Sequence, residues 1–441
     1  MGAPEGLAGV SSTSPEQSLQ QSATVRILIV TAGTSGDVLP YTGLAVRLQE
    51  SGHEVALAAH APFAEAVRCR GLEFRALPVD PHVQLSSCAG QRLVRSGSGP
   101  AALVHAARLG RGFLREFGHG ILAAAEHGVD IILLSTTTAR AGSAVAEALG
   151  VPSIGVSLQP ITPTGDFPPA FLGWKRPIGR AGNRAAAYAL MAVTDLAYAP
   201  VERALRRDLG LSTTNTAGLR TRERSDWPVL HAFSPTVVPR PSDWRPGAQV
   251  AGYLWPAHSR GWRPAPTLVD FLESGPPPVF VGFGSIIVTN PEQLVATAVE
   301  ALRIAGARGI VQRGWGGLES HSDDVLTIGE VPHEWLFPRT ATVVHAAGAG
   351  TTAAGLRAGV PAIPIPVWFD QPFWAARLAA LGVSPGPIAL RELSSARLAT
   401  AIRSVIQDSA YRRRARQVAE HIADEDGAGQ VAKAVELIGS N

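Results

Sequence analysis

Four short stretches carry side chains whose types and spacing suit chemistry on an anionic substrate. VVHAAGAGTT (343–352) runs from an apolar strand pattern through small residues into a helical pattern. Strand, small-residue loop and helix together present free backbone N–H groups, and the positive helix end, to an anion. Gly348, Ala349 and Gly350 would admit a phosphate, Thr351 and Thr352 add hydroxyl donors, and His345 supplies the one ring in the stretch. The same pattern also arises from packing alone, so both readings stand here. No GKS/T ending follows it, which argues against a P-loop nucleotidase. GTSGD (33–37) lacks the GxGxxG spacing of a nicotinamide-cofactor site.

The other three stretches offer a base, a hydroxyl and a pair of polar groups. Asp37 in SGDVLP can take a proton, or it can cap the helix that opens near Pro40. Ser285 in VGFGS is a hydroxyl at a strand end, and a turn residue is its plain alternative. Asp370 and Gln371 stand side by side where they can hold adjacent hydroxyls, or cap the stretch beginning at Pro372.

The elements that must position these groups follow one grammar. VRILIVT (25–31) is a continuous apolar run, as expected of a strand buried on both faces of a parallel sheet. EVALAA, FRALPV, IILLS and PSIGVS repeat it with helical stretches between, which predicts a doubly wound α/β domain over 25–236. The Pro/Trp-rich passage 237–256 reads as a linker. The alternation then restarts with PVFVGFGS, RGIVQRGWGG, VLTIGEVPHEWLF, TVVHAAGAGTT and AIPIPVWFDQ, predicting a second Rossmann-like domain over 257–441 with closing C-terminal helices. The two Gly-rich strand exits are then the lips of a cleft, since ligands gather outside the carboxyl ends of such strands.

Composition supports a folded two-domain chain. Its 441 residues exceed one ordinary core, 46% are hydrophobic and 17% charged. A net charge of +3 does not argue for nucleic acid. The basic run YRRRARQ (411–417) reads as a solvated helix face, with at most peripheral contact to an anionic membrane as its alternative. Residues 1–24 read as a disordered tail, and no apolar run reaches the roughly 20 residues of a membrane span. Cys69 and Cys88 match no disulfide framework or metal spacing, so a cytoplasmic protein is expected. His53, His60, His105, His119 and His127 lack partners at readable spacing and read as structural or surface residues.

Several blocks in fixed order resemble the nucleotide-sugar-dependent family 1 glycosyltransferases of the two-domain GT-B fold, in the sterol-type and antibiotic-type branch. They are RILIVTAGTSGDVLPYTGLAVRLQESGHEV, LQPITPTGDFPP, VFVGFGS, RGWGGL, the block from Val331 to Leu381, and EDGAGQVAKAVELI. The resemblance covers nearly the whole chain after residue 24. It implies an inverting hexosyltransferase using UDP-glucose or a dTDP-linked sugar as co-substrate, with no metal or other cofactor. Asp37 matches the family's base position. Ser285, His345 and Gly348–Thr352 would hold the diphosphate, and Asp370 and Gln371 would bind sugar hydroxyls. Arg313, Trp315, Val331 and His333 would line the base and ribose. Phe167, Phe171 and Trp174 would meet a small hydrophobic acceptor such as a sterol, polyketide, macrolide or lipid; a packed surface loop is the plain alternative for that segment.

The chain departs from the family pattern at one point that matters. Relatives carry two adjacent histidines where this chain has His345 and Ala346, and the second is the one used against the diphosphate. In that register an imidazole is missing, and a one-residue slip would let His345 serve instead. The gap motivates an alternative, a catalytically weak homologue acting as auxiliary partner of another transferase. Retention of Asp37, Asp370 and Gln371 argues against it. Glu330 stands where plant enzymes place a tryptophan, a trait of the bacterial branch.

Overall fold

The apolar run that opens the first domain forms β1 (Arg26–Val30), and its last four residues are wholly buried, as both faces of the sheet are covered. In the computed structural model, which describes residues 24–174, 177–214, 218–258, 261–286 and 290–439, two sheets are present. The first is assembled from β1, β2 (Glu54–His60), β3 (Glu73–Leu77), β4 (Ile131–Leu134), β5 (Ser153–Ser157), β6 (Val229–His231) and β7 (Ala248–Val250) in the order 3-2-1-4-5-6-7. The second contains β8 (Val279–Gly282), β9 (Gly309–Gln312), β10 (Val325–Ile328), β11 (Thr342–His345) and β12 (Ala362–Pro364) in the order 10-9-8-11-12. All described strand pairings are parallel, so the carboxyl ends of each sheet lie along one edge. In both sheets the order reverses beside the first strand in sequence, β1 or β8, which is where a parallel sheet opens a crevice.

Two boundaries differ from the sequence expectation. The stretch 237–256 is not all linker, because Ala248–Val250 pairs in parallel with β6 and closes the first sheet. Three residues are too few to show an apolar period, and β6 is equally short. The closing helix, Gly427–Gly439, leaves the second domain and packs Val431, Ala432 and Val435 with Tyr41, Leu44 and Leu48 of the helix Pro40–Glu50. The N-terminal tail lies, except for Thr24, outside the described residues.

The domains are joined at further points. Leu85, Leu93 and Ala102, from helices that follow β3, share a core cluster with Val281, Phe283 and Trp368 of the second domain. Thr42 Oγ1 accepts from the Ala257 N–H at 3.0 Å, and Arg70 Nε donates to the Ala257 carbonyl at 2.7 Å. At Gly43 the crossover comes so close that a Cβ there would stand 1.9 Å from the Trp255 carbonyl oxygen. Among the described residues no helix is long and apolar enough to cross a membrane.

This contact sets a test of how tightly the crossover is held. Gly43→Ala should destabilise the protein by about 2 kcal/mol or more, since helix or crossover must move. Gly112→Ala, inside the helix Pro100–Ala125 with nothing within 4 Å of the added carbon, should instead stabilise it by about 1 kcal/mol. Thermal denaturation of the two variants reads the opposite signs.

Candidate active site

Between β8 and β12 of the second sheet, β11 delivers the chain to a sharp turn. Ala347 takes φ +61°, a left-handed conformation rare for a residue with a Cβ, and its N–H donates to His345 Nδ1 at 3.1 Å. The turn places Gly348 at the N-cap of the helix Ala349–Arg357, with extended backbone and no side chain to cap it. The first helix bond is Thr352 N–H to the Gly348 carbonyl. Among the described residues nothing accepts from the N–H groups of Ala349, Gly350 and Thr351. Gly348, Ala349, Gly350 and Thr351 line a cavity of about 1380 Å³ that runs between the domains. Open donors and a positive helix end facing a cavity make an anion site.

The first domain brings its own Gly-rich exit to the same place. A Cβ on Gly350 would lie 3.9 Å from Gly36 Cα, so the two lips meet. Asp37 is the third residue of the one-turn helix Ser35–Val38, and its Oδ2 accepts from the Thr34 N–H at 2.9 Å and the Thr34 hydroxyl at 3.0 Å. It therefore caps its own turn; the helix at Pro40 has Leu39 as N-cap, without a side-chain bond. Gly33, at φ +134°, gives the carboxylate room, because a Cβ there would meet Asp37 Oδ2 at 2.4 Å. Burial pushes Asp37 above the usual carboxylate range, against the opposing bonds from Thr34 and Gln159.

Asp370 and Gln371 follow a second left-handed residue, Phe369 at φ +49°. Strained residues so placed are common at working sites. Asp370 does not use its side chain to cap the helix Gln371–Ala380; its Oδ2 accepts from Trp374 Nε1 at 2.7 Å. Burial raises its pKa to about 6, and the negative charge of Asp37 across the cleft adds to the rise. Gln371 Oε1 accepts from the N–H groups of Val367 and Trp368 at 2.8 and 3.0 Å, which leaves its NH₂ as the group free to face a hydroxyl.

The remaining expected residues divide. Ser285, Val331, His333, Phe167 and Phe171 line the cavity. His333 stacks on Phe337 at 4.3 Å, and burial lowers its pKa to about 4, so the ring is neutral near pH 7. His345 is not on the wall: it is 1% exposed, its pKa is lowered by burial to about 3, and its ring holds the Ala347 turn. Ala346, next in the strand exit, does face the cavity. Thr352 is buried beneath the loop and lines nothing. Arg313 points out to pair with Glu319 at 2.9 Å, and Trp315 packs between the domains against His82, with ring centres 5.1 Å apart. The cavity is reached instead by Gln312 and Gly314 on either side of Arg313. Trp174 is 38% exposed and outside the cavity.

Sequence reasoning missed Gln159 and the apolar lobe of the cavity. That lobe is walled by Phe113, Leu114 and Phe117 from Pro100–Ala125 and by Leu190 and Met191 from Arg180–Asp208. His60, expected to be structural, also reaches it, with its ring edge-on to Phe117 at 5.6 Å. No local motif marks these positions, which lie on three separate elements.

Two parallel α/β domains whose Gly-rich exits meet over one cavity define the GT-B class of glycosyltransferases. Comparison with known proteins agrees. Residues 27–165 match the glycosyltransferase family 28 N-terminal domain, and residues 310–438 the erythromycin biosynthesis protein CIII-like C-terminal domain. A sterol 3-beta-glucosyltransferase of Arabidopsis thaliana is 36% identical over 94% of this chain, which spans 66% of the plant protein. O-mycaminosyltylonolide 6-deoxyallosyltransferase of Streptomyces fradiae is 35% identical, covering 91% of this chain and 95% of that one. The structure of the Streptomyces sp. SF2575 glycosyltransferase SsfS6 complexed with thymidine diphosphate superposes with a TM-score of 0.62 at 22% identity, over 94% of this chain and 99% of that one. The chain thus belongs to the nucleotide-sugar-dependent glycosyltransferases of the sterol and macrolide branch.

The raised pKa of Asp370 has a cost that can be measured. With a folded pKa of about 6 against 3.8 in the unfolded chain, the folded state holds the extra proton between these values. Its stability therefore falls as pH rises from about 4 to 6, and the loss is complete above that window. Asp370→Asn, which keeps an acceptor for Trp374, should raise the melting temperature at pH 7.5 and flatten this pH dependence. Denaturation at pH 5 and 7.5 checks both.

Proposed function

We propose that the protein transfers a hexose, with inversion, from a nucleoside-diphosphate sugar to a hydroxyl of a hydrophobic acceptor. UDP-glucose is the favoured donor, dTDP-linked sugars come next, and sterols, polyketides, macrolides and lipids are the acceptor classes. The observation that carries this reading is the uncapped helix start at Gly348–Thr351 meeting the Asp37 turn across the cavity. The Arabidopsis and Streptomyces fradiae relatives, a sterol and a macrolide-type transferase by name, support the acceptor classes.

The diphosphate sits at the open N–H groups with Ser285 beside it. Asp370 accepts from, and the Gln371 amide donates to, sugar hydroxyls, while Val331 and His333 border the base and ribose. Asp37 takes the acceptor hydroxyl proton as the new C–O bond forms and the bond from the anomeric carbon to the diphosphate breaks. The leaving charge passes to the diphosphate, where the helix dipole and N–H groups stabilise it without a metal. Phe167, Phe171 and the apolar lobe receive the acceptor. A cytoplasmic setting suits the donor and the exposed cysteines.

Asp37→Asn should keep donor binding by calorimetry while transfer, followed by mass spectrometry over a donor-by-acceptor screen, falls by roughly 10²–10⁴. Unchanged turnover would remove Asp37 as base. Excess EDTA should leave the rate unaltered, and a collapse restored by Mg²⁺ would contradict a metal-free diphosphate grip. Ala346→His puts an imidazole on the cavity wall and should raise transfer roughly tenfold or more, the worth of a charge-assisted phosphate contact.

A further inference from the structure

The helix Arg180–Asp208 is apolar on two opposite faces, and only one of them is covered. One face turns Ala187, Leu190, Met191 and Tyr198 to the cavity. Half a turn away, at helical spacing, Ala185, Tyr188, Ala189, Val193 and Leu196 are exposed. Val193 is 64% exposed and Leu196 77%, the highest value for a large apolar side chain among the described residues. The chain enters the helix past Ile178, which is also exposed and stands over the first turn: a Cβ on Gly182 would lie 3.0 Å from its Cδ1. A helix apolar all round belongs in an apolar medium, and an exposed stripe of this kind marks a contact surface.

The rim of the stripe is basic. Arg184 stands near its start and Arg203 beyond its end, both exposed. Beside Pro200 and Val201 a shallow surface groove is lined by Arg108 and Arg111 of the helix Pro100–Ala125, exposed as well. Among the described residues none of these four forms an ion pair, whereas Arg115, Arg180 and Arg206 of the same two helices do. The acidic residues of Arg180–Asp208 are already engaged, Asp195 and Glu202 by Arg140 and Asp208 by Arg115. The border of the stripe therefore carries uncompensated positive charge.

We propose that this face docks on an anionic lipid bilayer, the apolar stripe entering the headgroup boundary while the four arginines meet lipid phosphates. Charge decides between occupants. A second copy seated on the same face would bring its own arginines against these, and a neutral apolar partner would leave them unpaired. The basic run 411–417 makes a poorer surface, since it exposes no large apolar side chain and Arg412 donates to the Thr340 and Ala341 carbonyls. Once docked, one helix thickness, about 10 Å, separates the lipid from the apolar lobe, so an acceptor dissolved in the bilayer has a short route to the site. That use rests on the hydrophobic acceptor proposed above; the docking itself does not.

Flotation with unilamellar vesicles tests it, comparing equal parts phosphatidylglycerol and phosphatidylcholine with phosphatidylcholine alone. The unaltered protein should float with the anionic vesicles and bind the neutral ones about tenfold more weakly or less. Raising salt from about 0.1 M to about 0.5 M should weaken anionic binding severalfold. Arg108→Gln with Arg111→Gln should lower it about tenfold or more, and Val193→Asn with Leu196→Asn by a similar factor. All four positions are exposed, and transfer to a water-soluble acceptor should be unchanged in both variants. If one pair of substitutions does not fold, the other carries the test. No flotation, or flotation that neither pair weakens, overturns the docking. A dimer in sedimentation equilibrium that Val193→Asn with Leu196→Asn dissolves, without vesicle binding, overturns it in favour of a second copy. Vesicle binding without transfer to any acceptor, dissolved or embedded, leaves the docking standing and overturns the acceptor reading.

Discussion

The helix Ala349–Arg357 begins with three N–H groups that have no acceptor among the described residues, and its N-cap is a glycine with nothing to lend them. Each such donor, withdrawn from bulk water and left unmet, costs about 1–3 kcal/mol. The surrounding structure is organised to keep them open. The His345 ring anchors Ala347 in a left-handed turn, so the chain enters the helix from the cavity side. β11 is paired on both sides, with β8 and β12, which fixes the height of the turn, and Gly36 closes over Gly350 from the other domain. In the proposed function a diphosphate would meet all three donors at once.

The carboxylates opposite show the same preference for function over stability. Asp37 and Asp370 are both held above the ordinary carboxylate range by burial, and the charge of Asp37 raises Asp370 further. A well-packed apolar pair would be more stable there, yet would neither take a proton nor hold a hydroxyl. Small local bonds offset part of the cost: Thr34 and Gln159 on Asp37, Trp374 on Asp370. The two domains are held in register by the crossover at Gly43 and by the last helix, which returns to the first domain. The cleft is therefore built by contacts far from the reacting atoms.

Long apolar runs made the fold readable from sequence. Ten of the strands between β1 and β12 and the Gly-rich exits stand out because a strand buried on both faces must be apolar throughout. β6 and β7 are three residues each and carry no such signal, which is why 237–256 looked like a linker. At the site, motif residues that sit on the exits themselves, such as Asp37, Gly348, Ala349 and Asp370, line the cavity. One residue either way was harder. His345 and Ala346 exchange wall and interior, Arg313 turns outward, and Trp315 packs between domains, because facing at a strand exit depends on a turn whose geometry no spacing reveals. Gln159 and the apolar lobe depend on elements brought together only by the tertiary fold.

Calorimetric titration of UDP and dTDP against uridine and thymidine tests the central claim most directly, since the nucleosides lack only the group that the helix start would bind. Diphosphates that bind at least a hundredfold more tightly than their nucleosides, with the gap unchanged in EDTA, are what the open helix start predicts. Nucleosides that bind as tightly as the diphosphates would contradict it.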